Sequence, residues 1–67
     1  MYKNGFLFEV VKNGIIGKID GEASGIYSIV LFQGGQMYDR AEVTEGTINE
    51  NLAYGYWRPL NPEDYDI

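Results

Sequence analysis

The sequence predicts a mostly β fold: a small five-stranded barrel or a curled antiparallel sheet, with one short helical turn before the last strand. Three observations carry this expectation. The apolar residues are chiefly Ile, Val, Phe, Tyr and Leu, with alanine scarce, a mix that suits strands better than helices. Nine glycines punctuate the chain at turn-like intervals. Asn13-Gly14 and Gly34-Gly35 each stand between apolar runs, the strongest local signal for a hairpin.

The first hairpin is centred on "VVKNGIIGKI" (10–19). A two-residue type I′ turn at Asn13-Gly14 sets Val11 opposite Ile16, Val10 opposite Gly17, Glu9 opposite Lys18 and Phe8 opposite Ile19. Phe6, Phe8, Val10, Ile15 and Ile19 then share a core face. Leu7, Val11 and Ile16 fall on the second face with the Glu9/Lys18 pair, so that face is expected to be partly covered. "DGEASG" (20–25) reads as a turn-rich loop.

"IYSIVLFQ" (26–33) is apolar on both faces and reads as a central strand. After Gly34-Gly35, "QMYDRAEV" (36–43) alternates with period two and reads as a strand with one wet face. Asp39 falls on its apolar side, a flaw that a bulge near the glycines would repair. Thr47-Ile-Asn-Glu50 has capping-box spacing, and Gly55 can close a helix, which predicts a helical turn or two over 48–54. "YWRPL" (56–60) is a last short strand whose Pro59, lacking an N–H, assigns it to an edge. The reading is one domain over 1–60 and an acidic tail over 61–67. A strand, two hairpins, a turn and a final strand resemble the SH3-like barrel plan, in architecture alone. The Ala-Leu-Tyr-Asp-Tyr run of SH3 domains is absent.

Composition narrows the chemistry. With no His and no Cys, the usual zinc ligand sets, disulfides, and the common catalytic triads and dyads have no residues to form from. Asp20 and Glu22 lie two apart among glycines, as in a solvated turn, and the glycines at 14, 17, 21 and 25 fit no phosphate-cradle spacing. The expectation is a non-enzyme without cofactor or metal. No run approaches the roughly 18 apolar residues of a membrane span, and the N-terminus does not read as a secretory signal. A cytoplasmic protein is expected.

Charge is placed unevenly. Lys3, Lys12, Lys18 and Arg40 balance Glu9, Asp20, Glu22 and Asp39, so the net −5 sits entirely after residue 40. Such a surface repels nucleic acid and attracts a basic partner. The aromatics Tyr54, Tyr56 and Trp57 cluster there, and Tyr56 and Trp57 should point to opposite faces of a strand. Tyr and Trp are enriched where proteins meet partners. The leading expectation is therefore a non-catalytic protein-binding module using Tyr54, Tyr56 and Trp57, rimmed by Glu42, Glu45 and Glu50, on a protein with a basic surface.

Two alternatives stand beside it. Glu63, Asp64 and Asp66 could imitate nucleic-acid phosphates, as in small phage or mobile-element proteins that inhibit a host DNA- or RNA-binding enzyme. The apolar second face of the first hairpin could instead pair with a copy of itself in a homodimer or a self-assembling subunit. "RPLNP" (58–62) outlines a polyproline ligand, and the C-terminal "YDI" could enter a carboxylate-binding groove.

Overall fold

The protein is described by a computed structural model over residues 2–66. Four consecutive antiparallel strands come first: β1 (Leu7–Val10), β2 (Ile16–Ala23), β3 (Ile26–Gln33) and β4 (Gln36–Thr44). Helix α1 (Glu45–Ala53) leads to β5 (Trp57–Leu60), and a single 3-10 turn follows at Pro62–Asp64. The strands form one sheet in the order β4-β3-β2-β1-β5, so α1 carries the chain from one edge to the other. The two edges do not pair, and the sheet stays open. Among the described residues no helix is long and apolar enough to cross a membrane.

The core lies on the face that α1 crosses. Ile19 of β2, Tyr27 of β3 and Ile48 of α1 are fully buried together, with Tyr2, Phe6, Val43, Leu52 and Trp57 packed around them. Phe8 is buried on the same side and stacks on Trp57. Gly17 sits opposite Phe8 in the register, and a side chain there would collide with the Phe8 ring. The other face carries buried apolar residues among charged ones. Leu7 is 2% exposed and Val30 9%, both paired with Lys18 in one cross-strand row. The partly covered second face is as the sequence suggests, although Val11 leaves it for the loop after β1.

The first turn differs from the type I′ expectation. The closing pair is Val10 and Ile15, with Val10 N donating to Ile15 O at 2.7 Å and Gly14 N donating to Val10 O at 2.8 Å. Asn13 Oδ1 accepts from Ile15 N at 3.0 Å, and only Gly14 of the pair takes a positive φ, 76°. Four residues make the loop instead of two. The register therefore slips by two: Phe8 faces Gly17, Leu7 faces Lys18, and Glu9 faces Ile16. A slip of two keeps each side chain on its expected face. Glu9 gains a different partner, Arg58, directly opposite on β5.

Residues 20–23 are strand, not loop. β2 continues to Ala23 through an irregularity between Ile19 and Glu22, where Gly21 takes φ 147°. The reversal is confined to Ser24-Gly25, both at positive φ, with Gly25 N donating to Glu22 Oε2 at 2.7 Å. The expected bulge in β4 is present: Leu31 pairs with Asp39 and Phe32 with Met37, leaving Tyr38 as the extra residue. It moves Met37 to the other face but leaves Asp39 in line with Ala41 and Val43, so it does not repair the placement of Asp39.

The helix starts three residues before its expected position. Thr44, not Thr47, is the N-cap, its side chain accepting from Thr47 N at 3.2 Å. The close at Gly55 is as expected. Gly55 N donates to Leu52 O and Tyr56 N to Asn51 O, with Gly55 at φ 78°, which is a Schellman motif. Pro59 sits on an edge strand, where its missing donor costs no ladder bond.

Candidate functional site

The helix exit fixes the two most exposed aromatics. The Schellman motif holds Tyr54 and Tyr56 on either side of Gly55, and Val11 N donates to Tyr56 O at 3.0 Å, tying the exit to the loop after β1. Tyr54 is 69% exposed and Tyr56 63%, with ring centroids 5.9 Å apart. Trp57, one residue on, turns the other way. Its ring lies flat on Phe8, so Tyr56 is the outward member of the pair and Trp57 belongs to the core edge.

A groove of about 480 Å3 opens beside these rings, lined by Val10, Val11, Lys12, Asn51, Tyr56 and Trp57. Val11 is 55% exposed at its rim. The walls are mostly apolar. Asn51 is held in place by its Nδ2, which donates to Thr47 O at 2.8 Å. This surface offers van der Waals contact and phenolic hydroxyls.

The acidic residues expected to rim the aromatics are not brought together. Glu50 is exposed one helical turn before Tyr54, on the same helix face. Glu45 opens α1 and accepts from the Tyr27 hydroxyl at 3.4 Å. Burial, first, and then the charge of Glu45 and the presence of Tyr27 raise the Tyr2 phenol above its ordinary pKa, and Tyr2 donates to Asn49 Oδ1. Glu42 stands on β4 opposite Ser28, at the far edge of the sheet from β5.

Glu63 and Asp64 lie on the 3-10 turn, with Asn61 Oδ1 accepting from Glu63 N at 3.1 Å, and Asp66 follows, exposed. β5 runs from Trp57, opposite Val10, to Leu60, opposite Leu7. The acidic turn therefore leaves the opposite end of β5 from the tyrosines, about 10 Å away along the strand. Pro62 borders a cleft with Tyr2 and Phe6. Ile67, which the carboxylate reading of "YDI" needs, lies outside the described residues, as does Met1. Among the described residues, no three His, Cys, Asp or Glu side chains are placed to hold a metal ion.

Sequence reasoning missed Val10, Val11, Lys12 and Asn51 as neighbours of Tyr56. They meet because β5 pairs with β1, and no local pattern announces a pairing between chain segments so far apart. No protein-family model, curated protein or solved structure matches the chain.

Proposed function

We propose that the protein is a small non-catalytic binding module with an SH3-like strand order, and that it docks another protein of basic surface through Tyr54, Tyr56 and the adjoining groove. The observation that carries the reading is two neighbouring tyrosines, each more than 60% exposed, on a backbone fixed by hydrogen bonds beside an apolar groove. Exposed aromatics at this density are enriched at interaction surfaces. Rigid presentation reduces the entropy lost on binding. The SH3-like plan is supported by the adjacency of β5 and β1 and by a helical element between β4 and β5. The basic partner is inferred from the net charge of −5 and from Glu50 beside Tyr54.

The test is capture of a partner by immobilised protein, wild type against the Tyr54→Ala/Tyr56→Ala double variant, across a salt series. The proposal expects capture to be lost in the double variant while its thermal melt stays close to wild type. Retained capture sinks it. Capture that survives the tyrosine changes but is lost with Glu63→Gln, Asp64→Asn and Asp66→Asn, and that falls steeply with salt, would favour the nucleic-acid-mimic reading instead.

A further inference from the structure

The sheet leaves one long strand edge without a neighbouring strand, and on it the Arg40 N–H donates to the Asp39 carboxylate at 2.8 Å, a contact that a pairing strand would replace. β5 has four residues with Pro59 among them, so its outer edge offers little to pair with. β4 has nine residues, with β3 on one side and, among the described residues, no strand on the other. Its residues are exposed except for Ala41 and Val43, which are half-buried. The bulge at Tyr38 ends the regular ladder on one side and α1 ends it on the other, leaving Asp39–Val43 straight.

The charges along that stretch select a partner. When a strand pairs antiparallel with its own copy, the two-fold axis passes between a residue and the same residue of the copy. Centring on Asp39, Arg40 or Glu42 sets like charges face to face. Centring on Ala41 sets Arg40 opposite Glu42 of the copy, and Glu42 opposite its Arg40, with two small alanine side chains on the axis. Arg40 and Glu42 lie on the same face of β4, in register with Val30 and Ser28, so both pairs form side by side. Arg40 already holds Asp20 at 3.0 Å on the exposed surface, and it can accept a second carboxylate without leaving the first.

We propose that two copies of the chain dimerise edge to edge through β4, antiparallel about Ala41, into one continuous ten-stranded sheet. The contact is isologous and closes on itself, and the β5 edges of the dimer are blunted by Pro59, so the assembly stops at two. This surface is separate from the Tyr54/Tyr56 groove, and either can fail without the other.

Sedimentation up to about 1 mM protein tests it. Wild type should show a monomer–dimer equilibrium that weakens with added salt. Glu42→Arg and Arg40→Glu should each weaken self-association about tenfold or more, because each converts two attractive pairs into repulsive ones. Mixed in equal amounts, the two variants should form a heterodimer of wild-type affinity, since every pair is again attractive; recovery also shows that both are folded. A wild type that stays monomeric throughout overturns the proposal, as do single variants that dimerise normally or a mixture that does not associate. On dilution, backbone amide shifts should move at Asp39–Val43. Movement confined to Val11, Tyr54 and Tyr56 would assign self-association to the groove and overturn the β4 contact.

Discussion

Phe8 and Trp57 stack almost parallel, their ring centroids 4.2 Å apart and their planes 14° from coplanar. This contact joins the first hairpin to the last strand, and it exists because Gly17 has no side chain. A Cβ built there would lie 2.1 Å from Phe8 Cζ. Gly17 is a glycine of space, its φ lying outside the left-handed region.

Gly17→Ala is therefore expected to displace the Phe8 ring and loosen its stack on Trp57. Overpacking of a well-filled core costs about 1–3 kcal/mol, a large share of the margin of a 67-residue chain with no disulfide. Urea unfolding followed by Trp57 fluorescence measures it. A midpoint equal to wild type would mean that the ring has free room elsewhere.

Tyr56 and Trp57 are sequence neighbours with opposite duties. Trp57→Ala removes the ring that covers Phe8 and should cost about 3 kcal/mol. Tyr56→Ala removes a side chain 63% exposed and should change stability by less than about 0.5 kcal/mol. Chemical unfolding of both variants decides the matter, with circular dichroism as the common probe. Equal losses would contradict the assignment of Trp57 to the core edge and Tyr56 to the surface.

The strand pattern was legible because alternation survives local errors. The first hairpin slipped by two residues, yet Phe6, Phe8 and Ile19 still reached the core side, since an even slip preserves faces. What the sequence could not reveal was decided by hydrogen bonds between side chain and backbone. Asn13 Oδ1 caps Ile15 N and lengthens the first loop, and Thr44 captures the helix start before Thr47 can. The Gly21 irregularity was hidden because a glycine inside a strand and a glycine in a loop look alike in composition. For the candidate site, the tyrosine cluster was visible as residue types. The groove beside it was not, because it depends on β5 returning to β1.

Ser24 is the one described non-glycine residue at positive φ, 54°, in the two-residue turn before Gly25. Serine tolerates that conformation poorly, whereas Asn-Gly is the preferred pair for a type I′ turn. Ser24→Asn should stabilise the protein by about 0.5–1 kcal/mol. The Glu22 carboxylate that accepts from Gly25 N is untouched by the change. A rise in the urea midpoint with an unchanged slope is the expected outcome, and a fall would show that the turn relaxes to another type.

Tyr2 makes stability depend on alkaline pH. Its phenol is raised above 10.0 chiefly by burial, then by the Glu45 carboxylate and by Tyr27, and its hydroxyl donates to Asn49 Oδ1. The folded state thus holds the phenolic proton more tightly than the unfolded chain does. The resulting stabilisation is fully present below about pH 10, the unfolded value, and is lost as pH rises through the higher folded value. Tyr2→Phe lacks this titration and leaves every other titratable side chain in place. The stability difference between wild type and Tyr2→Phe should stay level from about pH 8 to 10 and shrink above that. Urea unfolding across this range reads the difference directly. A gap that remains constant to about pH 11 would mean that the Tyr2 phenol titrates alike in the folded and unfolded chains.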